Sequence, residues 1–140
     1  MSVQKSLLGA ATAVAAGTKL ISEEAERSKQ AGAEAIKQKP EVESEQAQLE
    51  DAKGNAELYK ENTSAIATAA NKKADEIMND PKASPIDRLN AMMDASEANK
   101  DLEEANRALN TLEGKITANK EMQARIEKQI NKGRSWGGNY

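Results

Sequence analysis

Carboxylates are the main side chains in this sequence that could take part in catalysis. Adjacent acids occur at Glu23-Glu24 and Glu103-Glu104, and paired carboxylates are common general acids and bases. The chain has no His and no Cys, so it lacks the parts of an acyl-transfer triad or a zinc–thiolate site. Adjacent acids within a helical pattern usually form a solvated face. The sequence therefore predicts a protein that is not an enzyme, with no catalytic, cofactor-binding or metal-binding residues and no cofactor.

The C-terminal tail, residues 133–140, has the composition of a binding segment. It is rich in glycine and contains Arg134, the only Trp of the chain, Trp136, and one of the two Tyr residues, Tyr140. Trp and Tyr are favoured at the centres of protein interfaces, and aromatic residues beside basic ones also suit lipid headgroups or nucleic acid. The preferred interpretation is contact with a protein partner through these three residues. The alternative is a tail that has no binding role. Nucleic-acid contact has little support from the sequence, because the nearby basic residues are spread out and mixed with acidic ones.

The composition predicts long helices with a thin apolar seam. Charged residues make up 31% of the 140 residues and aromatic residues only 2%. Because large aromatic side chains supply much of the buried area in ordinary cores, this interior must consist of Ala, Leu, Ile and Met. The charge is uneven, with a net −6 over residues 41–80 and a net +4 over residues 114–140. An acidic middle and a basic end are the main electrostatic features of the chain.

Helix-breaking residues divide the sequence into three helices and a tail. The breaks are Lys39-Pro40, the segment from Asp80-Pro81 to Ser84-Pro85, and Gly133. They predict an all-α fold in which helices at about 41–79 and 85–132 form an antiparallel coiled-coil hairpin. An Ala/Gly-rich helix at about 3–37 precedes the hairpin. The predicted regions are accordingly 1–39, 40–132 and 133–140.

The third helix has the clearest start and the clearest apolar repeat. Ser84 can cap its N-terminus, Pro85 suits the first position, and Asp87 can complete a capping box. Apolar residues then alternate at spacings of three and four, as in a coiled coil. We expect the following residues of the second and third helices to form the seam through which copies of the chain associate: Leu49, Ile66, Ile77, Leu102, Leu109, Leu112, Ile116, Ile126 and Ile130.

An uncharged segment near the N-terminus, residues 6–18, allows three interpretations. It is shorter than the ~20 apolar residues of a membrane-spanning helix. It is a packing helix if Gly9, Ala13 and Gly17, four residues apart, permit close contact with neighbouring helices. It is a membrane-active segment if residues 3–22 enter lipid, or a secretory leader if it is cleaved. The residues assigned to partner or membrane contact here are Leu7, Leu8 and Val14.

These features together resemble the internal virion proteins of bacteriophages, including ejection proteins and DNA pilot proteins. The resemblance lies in the Ala/Gly-rich segment from Leu7 to Gly17, the long helices without Cys, and the glycine-rich end. The resemblance extends over the whole chain in composition and arrangement of segments, but it includes no residue-level motif. The resemblance implies a structural, homo-oligomeric component that lies inside the capsid or at the portal, contacts other virion proteins and aids DNA delivery.

Two further functions remain open on the sequence alone. The chain is a coiled-coil adaptor if the Trp136 tail binds a protein partner, and it is then cytoplasmic. It is a secreted helical protein if Ala13-Val14-Ala15 marks a cleavage site.

Overall fold

The protein is an antiparallel hairpin of two long helices. The computed structural model describes the backbone of residues 2–140 and the side chains of residues 20–140. Helix α1 spans Ser2–Met78 and helix α2 spans Pro85–Ser135. The two helices pack against each other, and no strand occurs in the described backbone. The predicted all-α hairpin is therefore confirmed.

The predicted break at Lys39-Pro40 is wrong, because α1 continues through Pro40. A proline inside a helix lacks the N–H that would bond to the carbonyl four residues earlier, and its ring crowds that carbonyl. Apolar packing on both sides outweighs this local cost: Ala35 is buried before Pro40, and Val42 packs on the same cluster after it. The expected boundary between regions 1–39 and 40–132 is consequently not a helix boundary.

The hairpin divides into two compact units, each containing a segment of both helices. Unit 1 comprises residues 1–44 and 120–140. Its described core is a cluster of Ala35, Ile126 and Ile130, with three partly buried residues packed around it: Ile36, Val42 and Tyr140.

Unit 2 comprises residues 45–119 and has an interior made mostly of alanine. Asn71 and Asn99 exchange two side-chain hydrogen bonds, with lengths of 2.9 and 3.1 Å, and so link α1 to α2 at one register. The hydroxyl of buried Thr63 donates to the Tyr59 carbonyl oxygen at 2.9 Å. Residues from both helices form the buried set: Thr63, Ala67, Ala91, Ala95, Ala98, Ala105, Leu109, Ile116 and Asn119.

Local hydrogen bonds fix the turn between the helices. The Asp80 carboxylate accepts a bond from the Lys82 N–H at 2.9 Å. At the start of α2, the Asp87 N–H donates to Ser84 Oγ at 3.1 Å, and the Ser84 N–H donates to Asp87 Oδ2 at 3.4 Å. The predicted capping box is therefore present. Arg88 adds a bond from Nη2 to the Asp80 carbonyl oxygen at 3.0 Å, which ties the first turn of α2 to the loop.

Helix α2 ends two residues beyond the predicted stop at Gly133, and that prediction is wrong in its detail. The Gly138 N–H donates to the Gly133 carbonyl oxygen at 2.9 Å, and the Gly137 N–H donates to the Arg134 carbonyl oxygen at 3.0 Å. These two bonds form a Schellman motif. Its left-handed position is Gly137, with φ of 93°, which an L side chain rarely adopts. Gly133 lies inside the helix instead and is buried.

Gly54 and Gly114 are exposed helical glycines, and a methyl group at either position would meet no atom within 4 Å. Glycine destabilises a helix interior by roughly 0.5–1 kcal/mol relative to alanine. We expect Gly54→Ala and Gly114→Ala each to raise the free energy of unfolding by about that amount, and the double variant by about the sum. Thermal unfolding monitored by circular dichroism measures both effects. A fall in melting temperature for either variant would contradict the open space around these glycines.

Candidate functional site

The residues predicted to join copies of the chain lie at three levels of exposure. Leu109 and Ile116 are buried in unit 2, and Ile126 and Ile130 are buried in unit 1. The half-buried residues of the set are Leu49, Ile77, Leu102 and Leu112. Ile66 is 56% exposed. Most of the α2 residues assigned to a seam between copies thus pack within the chain's own hairpin, whereas Ile66 faces outward.

On α1 the inward face of unit 2 between residues 63 and 74 follows small residues rather than Ile66, the large residue chosen there from the sequence. Thr63 and Ala67 are buried and Ala74 is half-buried, whereas Ile66 and Lys73 are exposed. The alanine-rich face of α2 leaves room for small side chains opposite it. Positions 63, 67, 70, 74 and 77 follow spacings of four and three, and this run was the available sequence signal for the inward face.

The tail residues Arg134 and Tyr140 contact their own chain. The Tyr140 hydroxyl donates to the Lys29 carbonyl oxygen of α1 at 3.3 Å, and Arg134 Nε donates to the Tyr140 main-chain oxygen at 2.8 Å. Tyr140 lies against a glycine notch formed by Gly32 of α1 and Gly133 of α2, where an added Cβ on either glycine would collide with the Tyr140 hydroxyl. Trp136 remains 37% exposed. Of the two aromatic residues in the tail, Trp136 therefore has the ring that is more open to a partner.

A short ion pair links the two helices in unit 1. Lys39 Nζ lies 2.6 Å from Glu127 Oε1 and 4.0 Å from Glu43 Oε1. The hydrogen bond to the Glu127 carboxylate and the charge of that carboxylate raise the pKa of Lys39 above its ordinary value of 10.5. Both side chains are about half exposed, so solvent screens the pair and its contribution to stability is small.

This ion pair gives an expected pH dependence. A raised lysine pKa contributes stability that is present below the unfolded-state pKa, about 10.4, and is lost as pH rises through the folded-state value. Glu127→Gln should therefore lower stability slightly at pH 7, and its difference from the wild type should shrink above about pH 10.4. Urea unfolding at pH 7, 9 and 11 measures the difference. Glu43→Gln, at the longer distance, is the matched control and should have a smaller effect; a constant difference at all three pH values would contradict the assignment.

Large apolar side chains are unusually exposed in unit 2. The exposed fraction is 54% for Tyr59 and 69% for Ile86, and no large side chain among residues 20–140 is fully buried. Single exposed apolar residues are ordinary, but Ile86, Leu89 and Met93 recur at spacings of three and four on one face of α2. A contiguous apolar patch of this kind marks an interaction surface. Exposed members of the series in unit 2 are Leu58, Tyr59, Ile66, Met78, Ile86, Leu89, Met92 and Met93.

Residues 20–140 contain no group of three acidic side chains arranged to hold a metal ion. Within the same range, no helix is both long enough and apolar enough to cross a bilayer. The predicted contact residues Leu7, Leu8 and Val14 lie outside the described side chains, as does most of the segment 3–22.

Comparisons with known proteins assign no family to this hairpin. No family model matches the sequence, and no curated protein or solved structure is significantly similar to it.

Proposed function

We propose that the protein is a non-catalytic structural subunit that works by packing the outer faces of its helices against other copies. The observation that carries this proposal is the burial pattern of unit 2. Its interior is filled by alanine and a few larger residues, whereas many of its largest apolar side chains face outward. An amphipathic helix gains most of its stability by burying its apolar face. Association of several hairpins would bury the side chains that one hairpin leaves exposed.

Within this class, we propose an internal or ejection component of a bacteriophage virion, where it would aid DNA delivery. Support comes from the Ala/Gly-rich sequence of residues 7–17, the long helices and the glycine-rich end. The structure adds a continuous α1 of 77 residues, which suits a subunit that lies side by side with copies in a tube or ring. Such a subunit would contact other virion proteins, and its N-terminal segment would contact membrane or portal.

Sedimentation across a wide concentration range tests the structural proposal. We expect species larger than the 15.1 kDa chain, with a mass that increases with concentration. Replacing the exposed residues Tyr59 and Ile66 by serine should shift the distribution toward smaller species without loss of helicity. A monomer at every concentration, alone and with candidate virion partners, would contradict the proposal.

Liposome flotation tests the ejection role separately. If residues 3–22 contact lipid, full-length protein should float with vesicles and a variant lacking residues 1–22 should remain at the bottom. If neither protein floats but both still assemble, the result supports the structural role and contradicts a role in delivery across a membrane.

A second candidate function is an adaptor that binds one protein partner, and the exposure of Trp136 favours it. Trp136 is 37% exposed, whereas the Tyr140 hydroxyl already donates to the Lys29 carbonyl oxygen of α1. Trp136→Ala should then abolish capture of that partner and leave the free energy of unfolding within about 0.5 kcal/mol of the wild type. Tyr59→Ala, an exposed aromatic outside the tail, is the control and should leave partner binding intact.

A further inference from the structure

Unit 2 carries an apolar groove on its surface, with a volume of about 820 Å³. Four small residues of α1, Ser64, Ala65, Thr68 and Ala69, line it together with Leu109 of α2. Spacings of three and four residues place those small side chains on one face of α1. The groove is therefore a shallow strip of small side chains that runs along α1.

The groove is suited to a helix rather than to a polar ligand. Thr68 Oγ1 already donates to the Ser64 carbonyl oxygen at 2.9 Å, so this hydroxyl needs no partner from outside. Small side chains allow a second helix axis to approach to about 8 Å, the lower limit for packed helices. A partner helix with equally small residues would fit the strip most closely.

Charges at the two ends of the groove select the partner and its direction. Glu57, Lys60 and Glu61 line the N-terminal end of the strip, which has a net charge of −1, and Lys72 gives the C-terminal end a charge of +1. A parallel copy of α1 would set like charges opposite each other. An antiparallel copy centred between Ser64 and Ala65 would set Glu57 opposite the partner's Lys72, and Lys72 opposite the partner's Glu57. The same surface is therefore complementary to itself.

We propose that two copies associate through this groove, α1 against α1 and antiparallel, about a twofold axis between Ser64 and Ala65. The contact is isologous, so each charged pair occurs twice. The inference rests on the proposed function, since it specifies one contact by which the subunits assemble. Other exposed apolar residues, such as Ile86 and Leu89, remain available for further contacts between dimers.

Charge reversal with mixing tests the interface. Glu57→Lys alone would place two lysines opposite each other at both ends, and Lys72→Glu alone would do the same with two glutamates. We expect each variant to raise the dimer dissociation constant about tenfold, from two modest surface pairs per dimer. In a 1:1 mixture both mismatches become attractive pairs, so the mixed dimer should recover wild-type affinity. Glu97→Lys, an exposed charge on α2, is the control and should leave the constant unchanged.

Cysteine cross-linking tests the register independently, because the chain has no Cys. Ser64→Cys would place two thiols beside the twofold axis, so mild oxidation should give a covalent dimer. Gln48→Cys is the matched control: in this register its residue lies opposite position 81, about 50 Å from the partner's equivalent residue at 1.5 Å per residue. It should give little covalent dimer.

The outcomes separate this inference from the proposed function. If the wild type assembles but mixing restores nothing and Ser64→Cys cross-links no better than Gln48→Cys, the groove is not the interface and the structural proposal stands. If the wild type remains a monomer at every concentration, both are overturned. If mixing restores the wild-type affinity and Ser64→Cys cross-links selectively, the results support both the groove interface and the structural proposal.

Discussion

Ile126→Ala should lower the free energy of unfolding of unit 1 by about 2–4 kcal/mol. Ile126 is only 2% exposed and packs in the cluster that contains Ala35 and Ile130. Its replacement removes three methyl or methylene groups and leaves a cavity that rigid helix backbones cannot close fully. Alanine's better helix propensity recovers a few tenths of a kcal/mol, which places the expected value below the upper end of the usual range.

The exposed Ile66 provides a control with the same chemical change. Ile66 lies on a helix and is 56% exposed, so Ile66→Ala removes little buried area and gains helix propensity. We expect its stability to stay within about 0.5 kcal/mol of the wild type. Urea unfolding at one low protein concentration measures both variants, because assembly would otherwise add a concentration-dependent contribution.

Hydrogen exchange localises the effect of Ile126→Ala. Protection should decrease in residues 20–44 and 120–140, which belong to the same unit as the cluster. Equal effects of Ile126→Ala and Ile66→Ala would show that the small cluster contributes no more than an exposed site, and would contradict the assignment of a core to unit 1.

Local sequence signals predicted the start of α2 correctly but failed at Pro40, where packing between the helices decides the outcome. The capping box at Ser84 and Asp87 needs only residues three apart, and both of its hydrogen bonds are present. Pro40 misled the prediction because its local cost is offset by packing of Ala35 and Val42 onto α2. That compensation comes from residues more than 80 positions away in sequence, so no local pattern around Pro40 contains it.

The sequence predicted that the helices would pack through a thin apolar face, but it did not predict which α1 residues form that face. The composition indicated a thin apolar interior, and the α2 residues from Leu109 to Ile130 that were assigned to a seam between copies are buried or half-buried within the hairpin itself. On α1, Ala67 rather than Ile66 is buried, because the opposite face is already lined with alanine. Which of two neighbouring residues faces inward depends on the size of the side chains across the interface.

The glycine notch gives the sharpest contrast between a local and a tertiary role for the same residue type. A Cβ at Gly32 would collide with the Tyr140 hydroxyl, lie 2.7 Å from Tyr140 Cζ, and lie 3.2 Å from the Gln129 carbonyl oxygen. Gly32→Ala should therefore displace Tyr140 and lower the free energy of unfolding by about 1–2 kcal/mol, net of improved helix propensity. The same substitution at exposed Gly54, with open space around it, should be stabilising.

Removal of Tyr140 should reverse the sign at Gly32. In a Tyr140→Ala background the Gln129 carbonyl oxygen at 3.2 Å is the remaining close neighbour, and a shift of a few tenths of an ångström accommodates it. Gly32→Ala should then stabilise the protein by up to about 1 kcal/mol through helix propensity. A double-mutant cycle measured by urea unfolding gives the coupling, which we expect to be about 1.5–3 kcal/mol.

Gly133 should behave differently in the same cycle, because the main-chain oxygen against it lies closer than the one against Gly32. A Cβ there would collide with the Tyr140 hydroxyl and lie 2.9 Å from the Ser28 carbonyl oxygen. Gly133→Ala should thus remain destabilising in the Tyr140→Ala background, since α1 itself must move to make room. If both glycines tolerate alanine equally in the presence of Tyr140, the tyrosine does not occupy the notch. If both remain destabilising in its absence, close approach of the two helices, rather than the docked tyrosine, explains the need for glycine at Gly32 as well as at Gly133.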